Sequence, residues 1–506
     1  MRKEIIMKIL FVYPKYPDTF WSFKHALRFI SKKALHPPLG LLTVASMLPD
    51  EWEKRLVDMN VKTLDDKELE WADYLFISGM IVQAQSARDV INRCKKLGVR
   101  VVAGGPLFTS AHEDFDGVAH FVLNEAECTL PLFLADLEKG TAKHIYQSDK
   151  FPNFEKTPTP LWKLVNMKDY VSMTVQYSRG CPFDCEFCDI TTLFGRKART
   201  KTKNQIIAEL ESLYHTGWRG NLFFVDDNFI GNKKKLKKDV LPAIIAWMKK
   251  RKYPFNFSTE ASINLADDET LMQMMIQAGF EGVFVGIETP EEASLAECNK
   301  FQNQNRDLVE SVKKIQKFGL QIRGGFIVGF DNDAPSIFDR QVEFIQKSRV
   351  ITAMVGMLNA PRGSRLYKRV GKEGRLLEGM SGDNTDLSTN IIPKMGYEKL
   401  ACGYKSIIKG IYSPKPYYER VKAFLQEYHP LEKRSFRLHF GHIRFHFGYA
   451  GAFFKSVWSL GITDKARFHY WRLFFWSLFR RPKLLPMAIT YSIYGFHFRR
   501  VFANYL

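Results

Sequence analysis

Cys181-Pro182-Phe183-Asp184-Cys185-Glu186-Phe187-Cys188 is the stretch on which the fold turns. Three thiols fall within eight residues at C-x3-C-x2-C spacing, so one short loop can aim three sulfurs at one inorganic centre. Thiolates suit iron–sulfur clusters, zinc and Cu(I). A closed zinc site needs four ligands, usually as two paired arms. No second arm follows; the nearest downstream histidine is His215. Three sulfurs on a four-iron cluster leave one iron open to chemistry. A zinc knuckle with a remote fourth ligand and three incidental thiols are the competing readings.

Just upstream, Val171-Ser172-Met173-Thr174-Val175-Gln176-Tyr177 is an apolar, β-branched strand pattern, and Ser178-Arg179-Gly180 turns the chain. Ligands at the C-terminal end of a strand define the site geometry of a (β/α) barrel. Downstream, strand patterns over 220–228, 255–260, 282–288, 321–330 and 352–355 alternate with helical patterns over 202–217, 268–278 and 306–318. Several of these strands end in polar residues that would point at a barrel mouth. Upstream, buried-strand patterns at 8–14, 55–58, 74–78, 99–103 and 120–123, with an amphipathic stretch over 86–97, predict a parallel, doubly wound sheet. Such sheets bind ligands beyond the C-terminal ends of their strands. Ser78-Gly79 and Gly104-Gly105-Pro106 lie there, where a missing Cβ lets a ligand approach. The plain alternative is that these glycines are turn residues.

Arg179-Gly180 followed by the three cysteines, with Phe187 just before the last, resembles the signature of the radical S-adenosylmethionine (SAM) enzymes. The resemblance implies a [4Fe–4S] cluster on Cys181, Cys185 and Cys188, with SAM chelated at the open iron and cleaved to a radical. It also implies SAM contacts from Phe187, Asp226, Asp227, Glu260, Glu288 and Arg323. Carboxylates would receive the ammonium and ribose hydroxyls, and the arginine would pair with the carboxylate. Each acid has an ordinary alternative as a helix cap.

A doubly wound domain directly before such a loop resembles the cobalamin-dependent branch of that family. Pro37-Pro38-Leu39-Gly40-Leu41, Ala103-Gly104-Gly105-Pro106 and Glu125-Ala126-Glu127 resemble its recurring segments. The implied cobalamin contacts are Ser78, Gly79, Gly104, Gly105 and Glu125. The D-x-H-x-x-G motif of another cobalamin family is absent, and His36, His112 and His120 read as loop or packing residues. Cobalamin is therefore expected without a histidine on its lower face. The methylthiotransferase branch needs three further N-terminal cysteines; only Cys94 and Cys128 precede Cys181.

The 506 residues carry a net charge of +20 with ordinary hydrophobic content, 45%. From Lys433 to the end there are 13 Lys and Arg against one acid, Asp464. Seven cysteines without pairwise spacing argue for a reducing compartment. The start, Met1-Arg2-Lys3-Glu4-Ile5-Ile6-Met7, is too short an apolar run for a signal peptide. No charge-free run reaches the roughly 18 apolar residues of a spanning helix, and 484–498 falls short. Helical patterns over 397–409 and 416–428, with Gly403-Tyr404 and Ile411-Tyr412-Ser413-Pro414, resemble the C-terminal extension of a bacterial subgroup that includes the hopanoid C-2 methylase. The final residues mix cations with aromatics, as in Tyr470-Trp471-Arg472-Leu473-Phe474-Phe475-Trp476. That pattern suits an anionic membrane surface, a single-stranded nucleic acid or a helical cap on the barrel; the lipid-modifying resemblance favours the first.

The expectation is an α/β protein in three parts. Residues 1–150 form a Rossmann-like cobalamin-binding domain, 165–375 a partial (β/α) barrel, and 376–506 a helical, basic and aromatic extension. The resemblance implies a methyltransferase, in the cytoplasm or peripheral to the inner face of the membrane, acting on an unactivated carbon of a small-molecule or lipid substrate. A flavodoxin- or ferredoxin-type donor would feed it electrons. A cobalamin-linked cyclase and a non-catalytic iron–sulfur protein are the alternatives.

Overall fold

A computed structural model describes residues 6–429 and 451–503. Met1 to Ile5, part of the N-terminal stretch read above, and 430–450, with Lys433, Arg434, Arg437 and Arg444, lie outside the described residues.

The N-terminal strands are β1 (Lys8–Tyr13), β2 (Glu53–Asp58), β3 (Tyr74–Ser78), β4 (Arg100–Gly104), β5 (His120–Val122) and β6 (Ile145–Tyr146). All pairings are parallel, in the order β2-β1-β3-β4-β5-β6. Ile9 to Val12 are fully buried because helices cover both faces of a parallel sheet. The order reverses between β1 and β3, which places the ligand crevice beyond their C-terminal ends. The helix Ala84–Leu97 stops at Gly98, whose φ of 72° ends it in the left-handed region. β6 is too short to leave a periodic signal.

The second sheet comprises β7 (Ser172–Val175), then, after the two-residue ribbon β8 (Ser178–Arg179) and β9 (Arg199–Thr200), β10 (Gly220–Phe224), β11 (Phe255–Glu260), β12 (Phe280–Glu288), β13 (Gln321–Val328) and β14 (Thr352–Met357). Six strands run parallel in the order β14-β13-β12-β11-β10-β7, an open barrel. Side chains alternate: Leu222 and Phe224 pack outward under helices, while Phe223, Ser258, Glu260, Phe284 and Arg323 line the interior.

An open barrel has two raw edges, and the chain covers each differently. At β14, Tyr412 Oη donates to Ala353 O at 2.7 Å and accepts from Ala353 N at 3.2 Å. Tyr404 Oη donates to Val355 O at 3.1 Å. Both tyrosines sit on the helix Tyr397–Tyr412. At β7, Val171 N and Ser172 N donate to Ala34 O and Leu35 O, so the N-terminal chain extends that edge. Trp21 enters the gap, its Nε1 donating to Met354 Sδ at 2.9 Å and its ring 5.6 Å from Phe284. The last helix, Leu485–Phe502, backs this segment: Phe498 stacks on Phe20 at 4.3 Å, and His497 Nε2 meets Phe20 O at 3.0 Å. Residues 20–30 therefore share the barrel's core although they lie in the N-terminal third.

Candidate functional site

The cysteine loop leaves β7 at the barrel mouth. Asp226 and Asp227, just beyond β10, hold the turn that precedes it. Asp226 accepts from Tyr177 N at 3.2 Å, from Ser178 Oγ at 2.6 Å and from Ser178 N. Asp227 Oδ2 accepts from Gly180 N at 2.8 Å. These acids, expected as SAM contacts, accept from the turn 177–180 and so position the cluster loop. Gly180 is required: its φ is 86°, and a Cβ would lie 2.7 Å from Lys197 O.

Among the described residues, no three His, Cys, Asp or Glu side chains are grouped as ligands of a single ion. A four-iron cluster binds each thiolate to a different iron. Donors surround the sulfurs: Asn228 Nδ2 lies 4.0 Å from Cys181 Sγ and Gln302 Nε2 3.6 Å from Cys185 Sγ. Burial raises the Cys181 and Cys188 thiols above their ordinary value, so the bare loop favours thiols and a bound cluster would draw them into thiolates.

Opposite the loop, Glu288 ends β12 at a register shift, with φ of 65°. Lys300 Nζ donates to its Oε1 at 2.7 Å and sits 5.8 Å from the Phe187 ring. Gly286 makes the room, since a Cβ there would lie 2.9 Å from Lys300 Nζ. Asn303 Nδ2 donates to Ile287 O and Gln341 Nε2 to Glu288 O, which fixes the strained strand end. Lys300 is the cation that acts on the cysteines. The motif gives no spacing signal for Lys300, Gln302 or Asn228, which lie 40 or more residues away in the chain.

Arg323 lies deeper, in register with Phe284 and Glu260. Its charge acts on Glu260 and on His36, whose ring stacks 5.2 Å from Phe223 inside the barrel. Burial, then Asp227 and Asp226, push Glu260 up to about 8. Burial and then Arg323 lower His36 to about 4, and its Nδ1 has no partner. Trp21, Phe223, Phe284 and Met354 make the rest of this lining aromatic and apolar.

Two clamps fix the loop from outside. Arg369 makes a bidentate pair with Glu186, and Arg365 pairs with Asp184. The second clamp joins the domains. Glu125, read as a cobalamin contact, is buried and accepts from Arg179 at 2.7 Å and Arg199 at 2.6 Å; Glu127 takes Arg179 at 2.9 Å. The carboxyl is therefore engaged with the cluster loop. Gly104 and Gly105 also have local reasons: a Cβ would lie 2.5 Å from Val122 O and 2.2 Å from Ser78 Oγ. Ser78 and Gly79 stand at the C-terminal end of β3, with Gly79 against Gln83. His112 packs edge-on to Phe121, and His120 Nδ1 meets Lys143 O at 2.7 Å. The loop around Gly382, against Ile81 and Val82, and Asn384, against Gly356, spans from the first domain to β14.

A doubly wound domain joined to an open barrel with three cysteines at its mouth is the arrangement of a cobalamin-binding radical SAM protein. Family models match as radical SAM superfamily over 175–345, B12 binding domain over 28–134, and a domain of unknown function, DUF4070, over 364–506. The chain belongs to the cobalamin-dependent radical SAM methyltransferase family, whose cofactors are a [4Fe–4S] cluster, SAM and cobalamin. It is 40% identical to an uncharacterized methyltransferase of Synechocystis over 97% of this chain and 91% of the relative. It is 31% identical to the hopanoid C-2 methylase of Rhodopseudomonas palustris over 96% and 93%. The bacteriochlorophyllide d C-8(2)-methyltransferase of Chlorobaculum tepidum is 25% identical over 68% and 77%. Among solved structures, the cobalamin-dependent radical enzyme OxsB with aqua-cobalamin shares the fold at TM-score 0.62 and 15% identity, over 99% of this chain and 80% of that one. The methyltransferase TsrM of Kitasatospora setae does so at 0.59 and 14%, over 74% and 80%. The protein is an enzyme, a methyltransferase acting on an unactivated carbon.

Proposed function

We propose that the substrate is a hydrophobic lipid of the hopanoid class, methylated in the reducing cytoplasm by an enzyme seated on the membrane face. The observation that carries this is the barrel lining, where Trp21, Phe223, Phe284 and Met354 give the interior an aromatic, apolar surface. When bound, the cluster with SAM supplies hydrogen abstraction and cobalamin supplies the methyl group. Cys181, Cys185 and Cys188 would hold the cluster, with Asp226 and Asp227 keeping their loop in place. The Glu288–Lys300 pair and Phe187 face the SAM side of the mouth, and Ser78, Gly79, Gly104 and Gly105 border the crevice for cobalamin. Glu260 and Arg323, which face the interior, receive a polar group of the substrate or of SAM. The net charge of +20 favours docking of an acidic one-electron donor of flavodoxin or ferredoxin type.

The test is anaerobic turnover of protein purified with iron and cobalamin, given SAM, a chemical reductant and a triterpenoid lipid extract. Equal yields of 5′-deoxyadenosine and S-adenosylhomocysteine, with a lipid one methylene heavier, are expected. 5′-Deoxyadenosine without S-adenosylhomocysteine or added carbon would overturn methylation of this substrate.

A further inference from the structure

No described helix is long and apolar enough to cross a membrane. Yet the C-terminal helical pair carries a surface that water alone does not explain. On the helix Arg467–Arg480, Tyr470, Leu473 and Ser477 are buried, and the face turned away from them carries Phe468, Phe475 and Phe479 at helical spacing. Phe468 is 74% and Phe479 77% exposed. A surface helix ordinarily keeps its outer face polar. The preceding helical segment, 451–463, repeats the pattern: Phe454, Trp458 and Ile462 recur every four residues, at 69%, 65% and 51% exposure.

The two stripes form one patch. Ring contacts run from Phe454 to Phe453 at 5.5 Å, to Phe474 at 6.0 Å, to Phe475 at 5.4 Å and to Phe479 at 6.4 Å. Exposed Lys465, Arg467, Arg472, Arg480 and Lys483 lie among or beside these rings. Asp464, the one acid from Lys433 onward, lies 3.5 Å from Arg499. Apolar rings set among uncompensated cations are complementary to a bilayer interface with anionic headgroups.

We infer that helices 451–463 and 467–480 are the membrane-docking surface of this enzyme, with the rings entering the interface of an anionic bilayer. This gives a role to the segment matched only as a domain of unknown function. It deepens the proposed membrane-surface reading, and its readout is vesicle binding, so it stands or falls separately from methylation. The same helices adjoin the segment that fills the barrel gap. Lys455 Nζ donates to Arg28 O at 3.1 Å and to Ser31 Oγ at 2.9 Å. Docking would bring that segment toward the lipid.

The experiment is co-sedimentation of the full chain with vesicles of phosphatidylcholine plus phosphatidylglycerol, and of phosphatidylcholine alone. Wild type is expected to pellet with the anionic vesicles and to be released by high salt. Phe468→Ser with Phe479→Ser lowers the partition coefficient about tenfold or more, with circular dichroism unchanged because both rings are exposed. Arg472→Glu with Arg480→Glu abolishes the preference for anionic vesicles while leaving every phenylalanine in place. Wild type remaining in the supernatant, equal pelleting with both vesicle types, or variants that bind as wild type would each overturn the assignment. So would a lipid-free dimer that the phenylalanine variant dissociates, since the patch would then belong to a second copy.

Discussion

Replacing Glu125 with alanine should loosen the cluster loop from the far side of a domain boundary. Its carboxylate takes three charge-assisted bonds: Arg179 Nη1 at 2.7 Å, Arg199 Nη2 at 2.6 Å and Arg199 Nη1 at 3.1 Å. Glu125 is 4% exposed, so solvent cannot replace it. Cutting one partner from a buried pair costs about 3–5 kcal/mol. Arg179 keeps Glu127 and Gln176, and Arg199 keeps Phe194 O. The lower end, about 3 kcal/mol, is therefore the expected cost, a factor of about a hundred in the local opening equilibrium. Arg179 and Arg199 form the β8–β9 ribbon that leads into Cys181. Hydrogen exchange at 177–181 and 198–201 should thus accelerate about a hundredfold, the scale of that opening equilibrium. Iron retained after anaerobic reconstitution should fall in parallel. Glu125→Gln keeps the shape and part of the bonding, and should lie between. Protection in the alanine variant within about threefold of wild type, a shift of less than 1 kcal/mol, would show that the clamp does not hold the loop. The clamp also has a pH signature. Burial works to raise Glu127, but Arg179 brings it net below its ordinary value. Its contribution is present above the unfolded-state value and is lost as pH falls through the folded one.

Glu260→Gln should show the opposite slope. The folded carboxyl is raised to about 8, so the native state holds an extra proton and wild type loses stability as pH rises from the unfolded value toward 8. The variant should gain on the order of 5 kcal/mol at the alkaline end of a denaturation series, and an equal pH profile would refute the burial argument. Lys300→Met strands Glu288 and should cost about 3 kcal/mol, whereas Lys300→Arg should recover much of it; thermal unfolding of both checks this. Tyr412→Phe leaves Ala353 O and N without their side-chain partner and should cost about 1–3 kcal/mol in chemical denaturation. Changing Cys181, Cys185 and Cys188 together to alanine should abolish iron binding by metal analysis, with far-UV circular dichroism retained.

The chain announces its two sheets locally. Buried parallel strands need runs such as Ile9 to Val12, and the helices between them need apolar periodicity; both are properties of neighbours in sequence. The cysteine loop is equally local, because one turn must carry all three sulfurs. The α/β class, the cofactors and the methyltransferase family were therefore legible before any coordinates. Partner identity was not. The sequence does not show that Asp226, Asp227 and Glu125 accept from donors 47 to 74 residues away. Lys300 and Gln302 reach the cysteines across more than a hundred residues, and Trp21 fills a barrel whose first strand begins at Ser172. The reason is that a low-dielectric interior makes an unpartnered charge costly, so buried carboxylates take up hydrogen-bond donors or cations wherever the fold brings them. Composition shows that such charges exist, and only the tertiary packing of the open barrel, closed by its own N-terminal segment and last helix, decides which ones meet.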